Sequence, residues 1–248
     1  MTPKKAVNPN PTTSLVPLPI SRSNIELFLN CPRCFYLKQK LGLKLPDNSD
    51  YMLNHAVDKL LKREFNHYRL FALKHPIMKE FSVDAIPFFH QKMPEWQDAL
   101  NGGIKFHHEQ TNFMVTGAID DLWINAIDEI IVVDYKATAI KGTRGPTGKW
   151  LKSCQRQLDV YAWLLNKNGF KVHQIGYFLY CNGDTSQKKF NVTLNFNVSL
   201  IPHTIDTSWI EDVLHKAARC LQKGSIPSFS KKCQICNFLE KLEAVELY

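Results

Sequence analysis

In the stretch IIVVDYKAT, Asp134 and Lys136 stand two residues apart at the end of the β-branched run Ile130 to Val133. Side chains on a strand alternate, so the carboxylate and the ammonium share a face about 7 Å apart, and Tyr135 points the other way. At the open end of a strand, such a pair can bind a hard divalent cation and orient a water or a phosphate, provided a second carboxylate lies nearby. Asp120, the last residue of Gly117-Ala118-Ile119-Asp120, supplies one, because a turn over 125–128 would bring the two β-rich stretches side by side. Magnesium keeps several waters and borrows substrate phosphate oxygens, which suits a site with few protein ligands. The plainer alternative is an exposed ion pair worth little.

Cys31-Pro32-Arg33-Cys34 and Cys233-Gln234-Ile235-Cys236 form a second constellation. Two C-x-x-C pairs give four thiolates, enough for a tetrahedral zinc or a [4Fe–4S] cluster that would tie the chain ends together; ordinary metal-free thiols are the third possibility. Cys154, Cys181 and Cys220 lack C-x-x-C partners and are expected to pack.

Several elements must position these residues. Ser23 and Glu26 make a capping-box pattern ahead of a short helix that ends at Cys31-Pro32. From about Tyr51 to Ala72 the residues Val57, Leu60, Leu61, Phe65 and Tyr68 recur at helical spacing, with Lys59, Lys62 and Asn66 on the other side. Phe113 to Ile124 and Glu129 to Lys136 read as a hairpin. A loop carrying Lys141, Arg144 and Lys149 leads into a helix from about Leu151 to Lys167, stopped by Gly169. Alternation over 175–181 and 190–198 predicts two more strands, and Ser208 with Glu211 caps a last helix closed by Gly224. Residues 1–19, rich in Pro, Asn, Thr and Lys, read as a disordered leader to one domain over 20–248. The net charge of +8 suits a polyanionic partner. With no apolar h-region and no long apolar run, export and membrane insertion are not supported, and a cytoplasmic protein is expected.

In their order along the chain, Gly117-Ala118-Ile119-Asp120, Asp134-Tyr135-Lys136 and Gln157-Leu158-Asp159-Val160-Tyr161 resemble the motifs of the PD-(D/E)XK nuclease superfamily. Within it, they resemble the RecB-like nuclease domains and the CRISPR-associated adaptation nucleases, and the resemblance spans roughly Ile20 to Asn237. It implies an α/β, restriction-endonuclease-like core with a central mixed sheet flanked by helices and the terminal cysteine segments stapled together. It further implies Mg²⁺ or Mn²⁺ held by Asp120, Asp134 and the Tyr135 backbone carbonyl, with Lys136 orienting the attacking water. Gln157 and Tyr161, four apart on one helix face, would reach the site or the nucleic acid. RecB-like nucleases often place a metal-binding histidine on an early helix, a role open to His55. The family's preceding glycine is missing here, with none between Pro46 and His55. Some similar nucleases hold a [4Fe–4S] cluster with one N-terminal and three C-terminal cysteines, so the two-plus-two arrangement is a departure that leaves zinc open. Lys141, Arg144 and Lys149 would grip phosphates or else decorate a solvated loop.

The implied function is a metal-dependent DNA nuclease acting on single strands or duplex ends, as an exonuclease or end-processing enzyme in repair, recombination or defence. One alternative is a catalytically silent nucleic-acid-binding module of the same fold, against which the intact Asp120, Asp134 and Lys136 argue. Another is a zinc-dependent structural module, which would leave those carboxylates without a role.

Overall fold

The computed structural model describes residues 16–46, 52–142, 145–189 and 191–246. These fall into two compact units, one gathering the chain ends with Lys105–Thr116 and the other gathering Ser49–Ile104 and Gly117–Thr207.

The end-built unit carries a three-stranded sheet in the order β1 (Leu18–Ser21), β4 (Phe113–Gly117), β3 (Ile104–His108), with β1 parallel to β4. Strand β1 begins at Leu18, two residues ahead of the expected start of structure, and residues 1–15 of the expected leader lie outside the described residues. Helix α1 (Arg22–Asn30) is capped by Ser21, not Ser23; the Ser21 hydroxyl accepts from the Asn24 amide at 3.3 Å. Pro32 then opens a new helix, α2 (Pro32–Gln39). A first helical position has no intrahelical use for the N–H that proline lacks, so the residue read as a stop is a start. Helices α7 (Ile210–Gln222) and α8 (Gln234–Glu246) complete this unit. Trp209, not Ser208, sits at the N-cap of α7, and Glu211 is used instead to receive the buried His108 at 2.7 Å.

The second unit is built on a five-stranded sheet in the order β2 (Ala85–Pro87), β5 (Asp121–Asn125), β6 (Ile130–Thr138), β7 (Ile175–Gly183), β8 (Phe196–Thr204). β5 and β6 form the expected antiparallel hairpin, and β6 and β7 run parallel, with Lys136 in register with Tyr180. A parallel pair needs a long crossover, which helix α6 (Gly148–Lys167) supplies. Ile131, Val133 and Tyr135 share a core cluster with Trp123, Leu179 and Phe65 of helix α3 (Met52–Leu70). The alternate residues Asp134 and Lys136 point to the opposite face, where Gln157 of α6 meets Lys136.

Two expected strands are redrawn. The stretch 113–124 breaks at Ala118–Asp120, so that β4 and β5 belong to different sheets. Strand β8 starts at Phe196: Asn191 and Val192 adopt positive φ, and Val192 is 89% exposed. Helices α4 (Pro76–Glu80) and α5 (Met93–Trp96), with β2 and β3, span only three to five residues each, too short for a periodic pattern.

Candidate active site and cysteine centre

Asp120, Asp134 and Lys136 are brought together in the sheet-based unit. Asp120 sits in the bend just before β5, and α5 fixes its backbone there. The Trp96 carbonyl accepts from the Ile119 amide at 2.9 Å, and the Gln97 side chain donates to the Asp120 carbonyl at 2.8 Å. From this bend Asp120 Oδ2 accepts the Tyr135 amide at 3.0 Å, which places the carboxylate beside the Asp134-Tyr135-Lys136 stretch. Asp134 is fully buried and ion-paired with Lys136, and its Oδ1 has no hydrogen-bond partner among the described residues. Burial pushes Asp134 up to about 7; Lys136 opposes the shift, and the neighbouring Asp120 carboxylate adds to it. Burial disfavours the Lys136 charge, but Asp134 and Asp120 outweigh it and raise the ammonium well above its usual range. Burial likewise opposes ionisation of Asp120, and Lys62, Lys136 and the Tyr135 amide reverse this and hold it low.

Gln157 connects to this group. Its Oε1 accepts from Lys136 Nζ at 3.3 Å, and its amide donates to the Tyr161 hydroxyl at 2.8 Å. Tyr161 itself is only 4% exposed, and its ring packs so closely on Gly117 that a Cβ there would sit 2.8 Å from Tyr161 Cε1. Tyr161 thus braces Gln157, the residue that meets Lys136. Lys141 and Lys149 are exposed, as a phosphate-gripping loop requires, and Arg144 lies outside the described residues. His55 is exposed on α3, one turn before Asp58.

Four contributors, Asp58, Lys62, Arg69 and Asp121, went unread in the sequence. Lys62, expected on the solvated side of α3, lies 3.0 Å from Asp58 Oδ1 and 3.1 Å from Asp120 Oδ1. Burial disfavours its charge, but Asp120 and Asp58 raise its pKa. Arg69, near the end of α3, is buried and ion-paired with Asp121. Asp121 also accepts from the Tyr135 hydroxyl at 2.8 Å and Trp123 Nε1 at 3.0 Å. Asp121 therefore holds the strand from the face opposite Asp134. The signal was present as a second stripe on α3, since Asp58, Lys62, Asn66 and Arg69 recur at intervals of four, four and three.

The four expected cysteines also converge, in the end-built unit. Their sulfurs all lie within 4.8 Å of one another, with Cys31 to Cys236 at 3.8 Å and Cys34 to Cys233 and Cys236 at 3.5 Å. Leu27, Leu45, Phe229 and Ile235 surround them. Burial pushes the Cys34 thiol far up and Cys236 up to about 12, whereas at Cys31 hydrogen bonds from the Cys34 and Ser230 backbone overcome burial and lower the pKa. The group could bind a metal ion. Cys154, Cys181 and Cys220 are buried singly, as expected.

A mixed sheet flanked by helices, with two carboxylates and a lysine converging beside a central strand, defines a restriction-endonuclease-like protein. The family model of the PD-(D/E)XK nuclease superfamily matches residues 19–240, and the chain belongs to that superfamily. It is a family of nucleases that act on nucleic acid and usually use Mg²⁺ or Mn²⁺. No curated protein matches the chain. No helix among the described residues is long and apolar enough to cross a membrane.

Proposed function

We propose that the chain is a Mg²⁺- or Mn²⁺-dependent deoxyribonuclease that hydrolyses phosphodiester bonds at Asp120, Asp134 and Lys136. One observation carries this reading: Asp134 is fully buried beside a second carboxylate, with an oxygen left unpartnered. A buried, under-bonded carboxylate destabilises a fold unless a cation completes it, so the donor set fits a hard divalent ion. Asp120, Asp134 and the Tyr135 carbonyl would hold the ion, and His55 is a further candidate ligand on α3. The ion would supply a water of lowered pKa and charge to offset that on the phosphate. Lys136 orients the water and faces the phosphate, Gln157 aims Lys136, and Tyr161 holds Gln157. Lys141, Arg144 and Lys149 contact the backbone of the DNA.

We assign the protein to exonucleolytic or end-processing work in the cytoplasm, in repair, recombination or defence. Labelled single-stranded and duplex DNA incubated with Mg²⁺, Mn²⁺ or a chelator tests the reading. Metal-dependent cleavage that ends with Lys136→Ala supports it, and wild-type rates in Lys136→Ala sink it.

For the cysteine centre the resemblance leads to a [4Fe–4S] cluster with zinc as the alternative; we propose that the sulfur spacing favours the alternative, a single tetrahedral zinc. Around one ion at about 2.3 Å, thiolates stand about 3.8 Å apart, close to the 3.5 to 3.8 Å of Cys31–Cys236, Cys34–Cys233 and Cys34–Cys236, with the remaining pairs within 4.8 Å. In a four-iron cube each thiolate binds its own iron, which demands a wider spread. One equivalent of zinc in a colourless protein supports this assignment; a brown protein with about four irons overturns it in favour of the cluster.

A further inference from the structure

Trp150 differs from the other tryptophans of the chain. Trp96, Trp123 and Trp163 are buried and Trp209 is half-buried, whereas Trp150, in the first turn of α6, is 37% exposed. An indole with more than a third of its surface in water forgoes part of the burial that makes aromatic residues useful to a core, so its position is open to another use.

That position is defined on two sides. Along α6, Trp150, Cys154, Gln157 and Tyr161 recur at intervals of four, three and four and so form one stripe. Tyr161 and Cys154 are buried and Gln157 holds Lys136, which leaves Trp150 as the outer end of the row that reaches the reactive lysine. Across the sheet, Tyr180 is in register with Lys136, and its hydroxyl lies 2.6 Å from Thr138 Oγ1. Thr138 also donates to Asn182 Oδ1 at 2.9 Å, and Asn182 binds the Ile140 amide and carbonyl, so the strand end is firmly held. The Trp150 ring lies 6.3 Å from the Tyr180 ring. The exposed indole is therefore two short contacts from the face that carries Asp134, Lys136 and Thr138. Lys149 and Lys152 flank it in the same turn, both exposed and without an ion-pair partner among the described residues.

An exposed aromatic face between free lysines is the composition of a site for unpaired nucleic acid, where bases stack on the ring and phosphates meet the cations. We propose that Trp150 stacks on the base of an unpaired nucleotide beside the reacting phosphate, with Lys149 and Lys152 on the flanking phosphates. In an intact duplex both faces of each base are already stacked, so the contact selects single-stranded or frayed segments. The phrase "reacting phosphate" rests on the nuclease reading above, but the contact itself does not.

The test compares Trp150→Ala, Trp150→Leu and Trp150→Phe, each in a Lys136→Ala background so that the DNA survives. The probes are a fluorescein-labelled oligothymidylate and a duplex closed by a hairpin at each end, followed by anisotropy. The proposal expects Ala and Leu to weaken oligothymidylate binding about tenfold, Phe to restore most of it, and duplex binding to move by less than about twofold. Leucine preserves packing on Tyr180 but has no π-face, so it separates stacking from a structural role, even where the alanine variant folds poorly. Wild-type affinity in Trp150→Leu, or equal losses on both probes, overturns the proposal. Wild-type protein that binds oligothymidylate in this way but cleaves no DNA with Mn²⁺ refutes the nuclease reading and leaves the stacking contact standing.

Discussion

The carboxylate site and the cysteine centre both gather groups that resist being gathered, but they do so with different support. Around Asp134, three carboxylates (Asp58, Asp120 and Asp134) face two ammonium groups (Lys62 and Lys136), leaving one negative charge unmatched in a largely buried setting. What holds them is a five-stranded sheet whose core packs Phe65, Trp123, Ile131, Val133 and Leu179, residues that do not depend on the site. The cysteines come from two segments 199 to 205 residues apart, within a small apolar setting of mostly half-buried side chains. At the first site the fold carries the strain of the chemistry. At the second, the chemistry would carry part of the fold.

That contrast can be broken most directly at the reactive residues. Asp120→Ala, Asp134→Ala and Lys136→Ala should each lower the DNA cleavage rate on the order of a thousandfold, because the metal and water are lost. Circular dichroism should show each variant folded. Unfolding of all three would mean that the charges hold the sheet-based unit together, contrary to the comparison.

The cysteine centre should answer in the opposite sense. Cys31→Ala or Cys236→Ala should lower the melting temperature by roughly 10 °C, about 3 kcal/mol for a chain of this size, and metal analysis should show the loss of the bound ion. A bridge between segments so far apart constrains most of the unfolded chain, which is why the effect should exceed that of Asp120→Ala on the same measurement. An unchanged melting temperature with no metal in the wild type would return these residues to ordinary thiols.

The sequence made the reactive row legible because strand alternation is strict: once β6 is recognised, Asp134 and Lys136 share a face and Tyr135 takes the other. The C-x-x-C pairs were legible for a similar reason, since their spacing is itself the ligand geometry. Lys62 and Arg69 were not legible, because long charged side chains on an amphipathic helix default to solvent, and only the placement of Asp120 and Asp121 says otherwise. Asp121 was hidden by its neighbour. In the pair Asp120-Asp121 one residue ends the bend and the other begins the strand, so they face different partners, and no local pattern divides the roles. Tyr161 shared a helix face with Gln157 as read, but its burial against Gly117 depends on where β4 ends.

A smaller effect sharpens the electrostatic half of the contrast. Asp134 is pushed up to about 7 by burial, against about 4 for an unfolded chain. Its folded pKa is therefore raised, so its contribution to stability is complete below about 4 and is lost as pH rises through about 7. Asparagine does not titrate. In the presence of a chelator, the melting temperature of Asp134→Asn relative to wild type should climb between about pH 4 and pH 7 and level off above, and Mn²⁺ should stabilise the wild type most at the upper end. A difference that stays flat with pH would show that Asp134 is not under the strain inferred for it.

The smallest effect concerns the loop that leads from β6 to α6. Lys141 and Lys149 are exposed and make no ion pair among the described residues, so their charges are free to meet a polyanion or simply to be solvated. The two cases differ in salt dependence. A lysine that neutralises a phosphate releases a counterion, and each such contact contributes about 0.7 to 0.9 to the slope of log affinity against log salt. Replacing Lys141 and Lys149 with alanine, with Arg144→Ala added as a third step, should flatten the slope by about that amount per residue, with only a severalfold loss of affinity at moderate salt. The melting temperature of the Lys141 and Lys149 variants should not move, because both side chains are exposed. Trp150→Leu should do the reverse, weakening single-strand binding while leaving the salt slope unchanged, since a stacked ring releases no ions. If the lysine variants keep the wild-type slope, the loop is ordinary solvated surface, and charge near the site is confined to the α3 stripe and Lys136.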